Sequence, residues 1–289
     1  MRRIPVTEAP HPDGPALERL RTDRLVARLH AGDREAVSAV ERALPSIARL
    51  ADAVAGALRA GGRLLYAGAG TSGRLAALDA AECPPTFGVA PSRVRALVAG
   101  GARALSRAVE GAEDDAAAGR RAVGAARAGA RDLVVGVSAS GTTPFVLAAL
   151  AEARRRGAAT ALVTSNPAAR LPSGLRVVLR TGPERIAGST RMKAGAAAKM
   201  ALALASTAAF VRLGAVRGGR MIDVAPASEK LRRRAVRMVT EATGLGEAAA
   251  RRALARSGWS VRAVLDGGAP ARPGAAAARR PGRAARRRT

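Results

Sequence analysis

The chain is predicted to be an α/β protein: a doubly wound, five-stranded parallel sheet flanked by helices, with a small three-helix part at the C-terminus. Three observations lead there. Between residues 61 and 218, five short apolar runs alternate with stretches of helical period. The loops after the first and third runs are rich in glycine, serine and threonine. Beyond Gly219 only helical patterning remains.

The elements follow in order. Residues 1–15 are polar and proline-rich and read as an irregular arm. Leu17 to His30 suits a short helix, and Asp33 is a candidate N-cap for the next. Val37, Val40, Leu44, Ile47, Ala51, Val54 and Leu58 then recur at helical spacing, with Pro45 expected to kink or restart the helix. Residues 1–60 are therefore expected to pack on a core spanning 61–218. Arg63 to Ala67 reads as the first strand, followed by a helix from about Gly73 that Pro84 and Pro85 should end. Strands are expected at 93–99, 132–137, 159–164 and 175–179, with helices at 104–128, 143–156 and 190–213. Helices at 227–243, 246–256 and 260–265 would form a unit over 219–267, and residues 268–289 read as a disordered basic tail.

Composition narrows the function. With 48% hydrophobic residues but only 2% aromatic, the core must be built from Ala, Val and Leu. No run of about 18 uncharged apolar residues occurs, the N-terminus lacks an apolar signal region, and the single cysteine, Cys83, allows no intrachain disulfide. A cytoplasmic protein without membrane spans is expected. The net charge of +27 has two readings: a nucleic-acid or anionic-membrane surface, or arginine spread by composition over solvated faces. Arginine is not confined to one helix face, which favours the second, and either would steer anionic substrates.

In an open parallel sheet, ligands bind beyond the carboxyl ends of the strands. The first such loop, Gly68 to Arg74, reads GAGTSGR. Its glycines admit backbone N–H groups close to an anion, the following helix start adds a favourable dipole, and Thr71 and Ser72 add hydroxyls. A phosphate cradle and a plain capped turn both fit. Gly68, Gly70 and Gly73 also match a dinucleotide fingerprint, but the second strand ends without the acidic residue that would hold a ribose. The second loop, SASGTTP, places Ser138, Ser140 and Thr142 around a flexible Gly141. A third segment, GPERIAGSTRMKAG, carries Glu184, Ser189, Thr190, Arg191 and Lys193 into a long helix. His11 and His30 have no ligand-spaced partners, so no metal site is expected. Acid–base work then falls to carboxylates: Glu82 beside the proline pair, and Glu113 in the next helical stretch. Either could equally be a solvated helix charge.

These motifs, in this order and spacing, resemble the N-acetylmuramic acid 6-phosphate etherase family: GAGTSGRLAALDAAECPPTFG, VEGAED, VSASGTTPFVLAAL, TSNP and GPERIAGSTRMKAG. The similarity runs from about Thr7 to Leu265. The resemblance implies a sugar isomerase (SIS) domain, a homodimer, and no metal or organic cofactor. It implies cleavage of the D-lactyl ether of the sugar phosphate by elimination and hydration, in the recycling of bacterial cell-wall sugars. Glu82 matches the family's proton donor and Glu113 its second acid–base group. Gly70, Thr71, Ser72, Ser138, Ser140, Gly141, Thr142, Glu184, Ser189 and Lys193 are the expected substrate-binding residues. One departure stands out: Thr142 occupies a position where many relatives carry Arg. A sugar-phosphate-binding regulator without chemistry is the alternative, although it would not need both Glu82 and Glu113.

Overall fold

A computed structural model describes residues 6–12, 14–224, 226 and 228–267. The expected basic tail at 268–289 lies outside them, as do the first residues of the arm. Strands β1 (Leu64–Gly68), β2 (Val94–Val98), β3 (Leu133–Val137), β4 (Ala159–Thr164) and β5 (Leu175–Val178) form one parallel sheet in the order β2-β1-β3-β4-β5. All five residues of β1 and of β3 are buried, as both faces of a central parallel strand should be. The chain winds outward from β1 to β2, then reverses through β3, β4 and β5. The reversal puts a crevice at the carboxyl ends of β1 and β3, where Gly68 pairs with Val137.

Helices cover both faces. On one, α1 (Thr22–Arg59), α2 (Gly70–Phe87) and α6 (Lys193–Arg212) bury Val40, Ile47, Leu50, Val54, Ala76, Ala80, Ala201 and Ala205 against the sheet. On the other, α4 (Ala116–Ala125) and α5 (Pro144–Arg155) bury Val123, Phe145, Val146 and Leu150. A separate apolar cluster joins α7 (Glu229–Thr243), α8 (Glu247–Arg256) and α9 (Val261–Leu265) around Val236, Val239, Leu254 and Val261. Helix α6 is long and apolar enough to cross a membrane, yet here its small side chains pack along α1 and α2.

Several boundaries differ from expectation for identifiable reasons. The expected pair of N-terminal helices is one 38-residue helix. Asp33 does not cap; its carboxylate binds His30 Nδ1 at 2.9 Å within the helix. Pro45 is exposed, so the carbonyl it leaves unbonded can face water while the buried stripe stays in phase from Ala36 to Leu58. Val37 and Leu44, expected in that stripe, face outward. Helix α2 continues past Pro84 and Pro85 to Phe87, whose ring stacks on Phe210 at 4.4 Å, and ends at the left-handed Gly88. The helix expected at 104–128 is broken into α3 (Arg103–Ser106) and α4 by an irregular stretch, because Gly111 turns at φ +69° and Asp115 caps α4 through Ala118 N–H. An unexpected two-stranded hairpin, β6 (Val216–Arg217) and β7 (Arg220–Met221), closes through Gly218-Gly219, both at positive φ.

At the opposite end of the sheet, Asp132 ties β1 to β3. Its carboxylate accepts from Arg63 N–H at 2.8 Å, from the Arg63 guanidinium at 2.7 and 3.1 Å, and from Gly129 N–H at 2.9 Å. Burial pushes this carboxyl up, but the Arg63 and backbone donors outweigh it and hold the group below the usual range. Its stabilising contribution is therefore complete above about pH 4 and fades as pH falls through the depressed native value. Asp132→Ala should cost about 2–4 kcal/mol at pH 7 by denaturant unfolding, and the gap from wild type should narrow below about pH 4. Gly119 in α4 sits where a Cβ would lie 2.2 Å from the Phe145 carbonyl oxygen. Gly119→Ala should force α4 from α5 and lower stability by about 1–3 kcal/mol, read from the thermal midpoint.

Candidate active site

The first turn of α2 is the chief feature of the crevice. Ala69 at its N-cap has no side chain to cap with, and the first intrahelical bond runs from Gly73 N–H to the Ala69 carbonyl. The N–H groups of Gly70, Thr71 and Ser72 precede that bond and point past the end of β1. Gly70 turns the chain at φ +52°, with open space around it. A Cβ on Gly68 would lie 2.8 Å from the Gly73 nitrogen, and one on Gly73 would lie 2.8 Å from the Gly68 oxygen. Both glycines therefore let the helix start press on the strand end, and three donors and a helix dipole converge on one spot.

Beside it lies the β3 loop, bound into a hydroxyl cluster. The buried Ser138 shares a hydrogen bond with Thr143 Oγ1 at 2.8 Å and accepts from Gly141 N–H at 3.0 Å. Thr142 donates its hydroxyl to Ser140 at 3.0 Å. Gly141 adopts φ +68°, and a Cβ there would lie 2.3 Å from that of Ala169. The loop after β4 holds this one from behind: Asn166 donates its amide to the Ser140 carbonyl at 2.8 Å, and Thr164 donates to the Ala139 carbonyl at 3.1 Å. Nothing in the sequence marks Asn166 as a site residue, because its work is done through the backbone of another loop.

Glu113 sits in a turn rather than in the expected helix. The irregular stretch containing it crosses the carboxyl edge of the sheet. Arg74 in α2 donates to the Arg107 carbonyl at 3.0 Å, and Phe145 N–H in α5 donates to the Glu113 carbonyl at 2.9 Å. Glu113 is thus held by its backbone at the start of α5, with its side chain exposed.

The third segment behaves differently. Glu184, 1% exposed, accepts from Lys193 N–H at 3.0 Å and from Ala194 N–H at 2.9 Å, so the donors of the α6 start are already taken. Burial pushes the Glu184 carboxyl up, and those two N–H bonds partly offset it. Lys193 is buried and its ammonium binds Glu35, which also binds Arg185. Gly32 in α1 makes room for the Lys193 stem. Ser189 is half-buried just ahead of α6. The segment still borders the cradle, since Gly195 faces the Thr71 methyl. Glu82 lies apart: it is exposed on α2, twelve residues beyond Gly70 and so about 18 Å along the axis from the cradle. Among the described residues, no group of three or more His, Cys, Asp or Glu side chains could hold a metal ion.

A doubly wound sheet with an open helix start and a hydroxyl loop at its switch point defines an SIS-type α/β protein. Residues 46–154 match the glucokinase regulatory protein N-terminal SIS domain family. The N-acetylmuramic acid 6-phosphate etherase of Symbiobacterium thermophilum is 49% identical over 262 residues, covering 90% of this chain and 87% of its own. That of Gloeobacter violaceus is also 49% identical, with coverages of 90% and 86%. Among solved structures, phosphoheptose isomerase from Neisseria gonorrhoeae matches 67% of this chain and 98% of its own, with a TM-score of 0.44 and 18% identity. The chain belongs to the N-acetylmuramic acid 6-phosphate etherase family.

The division of labour between open and occupied helix starts is testable. Glu184→Ala should strip two buried N–H groups of their acceptor and cost about 2–3 kcal/mol in urea unfolding. A loss below about 0.5 kcal/mol would mean that the carboxylate does not cap α6.

Proposed function

We propose that this protein cleaves the D-lactyl ether of N-acetylmuramic acid 6-phosphate with water, releasing N-acetylglucosamine 6-phosphate and D-lactate. The observation that carries the reading is the uncapped start of α2 beside the Ser138–Thr143 hydroxyl cluster, with the Glu113 backbone bound to the start of α5, in a chain of this family. The 6-phosphate sits on the N–H groups of Gly70, Thr71 and Ser72, helped by the Thr71 and Ser72 hydroxyls. Ser138, Ser140 and Thr142, with Gly141 shaping their turn, face the sugar. Thr142 gives a neutral hydroxyl where many relatives carry a cation, so grip falls more heavily on the helix start. Ser189 completes the wall beside Thr71, while Glu184 and Lys193 serve the site by holding the start of α6.

The reaction is elimination followed by hydration. In the opened sugar the C1 aldehyde acidifies the C2 hydrogen. Glu113 takes that proton, the C3–oxygen bond breaks, and Glu82 protonates the departing lactate oxygen. Water then adds hydroxyl at C3 and hydrogen at C2, which restores both carboxyl groups for the next turnover. No oxidant or reductant enters.

Glu82 cannot reach the cradle of its own chain across about 18 Å of helix, so a second copy supplies it and the working unit is a homodimer. The exposed face of α1, α2 and α6 supports this: Val37, Leu44, Leu78, Leu204 and Val211 stand outward there, with Leu78 one turn from Glu82. The protein works in the cytoplasm, where phosphorylated cell-wall sugars are recycled.

Purified protein given N-acetylmuramic acid 6-phosphate should release D-lactate, with solvent oxygen at C3 of the sugar product. Well-folded protein that releases none rejects the reading. Glu82→Gln and Glu113→Gln should each lose about 10²–10⁴ in rate. Mixing the two inactive variants through denaturation and refolding should restore about one quarter of wild-type activity, because half the dimers then hold one intact site. No restoration would place both carboxylates in one chain's site.

A further inference from the structure

Helix α2 links the phosphate cradle to Glu82, yet its buried side chains are a poor grip. They are Gly73, Ala76, Ala80, Cys83 and Phe87, so over most of its length the helix offers the sheet no ridges to interdigitate. Small side chains resist separation from the sheet but scarcely resist rotation or sliding along it. One polar contact supplies the missing direction. Asp79 turns inward and both its oxygens are held: Tyr66 on β1 donates its hydroxyl to Oδ2 at 2.7 Å, and Ser206 on α6 donates to Oδ1 at 2.9 Å. Tyr66 is 1% exposed. Burial pushes the Asp79 carboxyl up, against the pull of the two hydroxyls and of Lys199. Neither the cradle nor the carboxylate pair uses this cluster.

Three residues separate Asp79 from Glu82, which puts Glu82 one turn along and about 60° round the helix. We propose that Asp79 is a positioning residue for Glu82: gripped by Tyr66 and Ser206, it fixes the rotation of α2 and hence the place at which Glu82 meets the lactyl oxygen. The inference rests on the etherase reading and on Glu82 as the acid. Hydrocarbon groups of matching shape in place of all three polar groups could hold α2 against unfolding as well as this cluster does. What the two directional bonds add is an angle.

The test is a double-mutant cycle on D-lactate release. Tyr66→Phe removes one grip and keeps the ring. Alone it should lower kcat about tenfold or more while KM changes less than about twofold, because the cradle lies at the other end of α2. In the Glu82→Gln background the same change should cost less than about twofold, since no acid remains to misplace. Ser206→Ala should repeat the pattern should Tyr66→Phe fold poorly, and Asp79→Asn, which keeps an acceptor, should recover part of the rate lost in Asp79→Ala. Affinity for N-acetylglucosamine 6-phosphate, measured by calorimetry, should be unchanged in all of them. Equal losses with and without Glu82, or no loss in the single variants, would overturn the positioning role while leaving the etherase reading intact. No lactate from wild type, or a full rate from Glu82→Gln, would instead defeat the parent reading and this inference together.

Discussion

The site depends on one close approach, that of Gly73 in the first turn of α2 to Gly68 at the end of β1. Two glycines five residues apart let the start of α2 rest directly on the end of β1, with no side chain between them. The peptide dipoles of the helix are thereby aimed at the crevice and not at solvent. Parallel pairing of β1 with β3 brings the hydroxyl loop to the same edge. A side chain at either glycine would have to move helix or strand, and the donors would no longer converge.

The second ingredient is irregular backbone used as scaffolding. The stretch between α3 and α4 looks like a failed helix in isolation. In place, its carbonyls at Arg107 and Glu113 take donors from the first turns of α2 and α5. It thus bridges the two windings of the sheet. The loop after β4 does similar work through Asn166 and Thr164, bracing the hydroxyl loop from behind. The chain carries a net charge of +27, so an anion approaches the molecule through a favourable field before neutral donors take over.

The strands were legible in the sequence because each is a short apolar run between turn residues, and all five lie within a residue or so of their expected limits. The position of the loops carrying Gly70, Thr71, Ser72, Ser138, Ser140 and Thr142 is equally open to reading, since strand-to-helix order already implies the carboxyl edge. What could not be read were outcomes settled by tertiary context. Pro45 leaves α1 intact only because it faces water and the stripe continues beyond it. Pro84 and Pro85 fail to end α2 because Phe87 has Phe210 to stack on. The basic, hydroxyl-bearing start of α6 looked like an anion site; that Glu184 folds back onto it depends on a turn ten residues wide. Asp79 is not legible from sequence, because nothing local distinguishes a carboxylate gripped by two distant hydroxyls from one on a solvated face.

The self-capped start of α6 also has a bearing on selectivity. Helix starts at the carboxyl edge of such a sheet are general-purpose anion receptors, and two vacant ones side by side would welcome doubly phosphorylated sugars, nucleotides and stray inorganic ions alike. By lodging its own Glu184 in one of them, the chain carries a permanent internal stand-in for a second phosphoryl group. That berth is closed to a visitor, and a second phosphoryl group brought to it meets a carboxylate where it would need a donor.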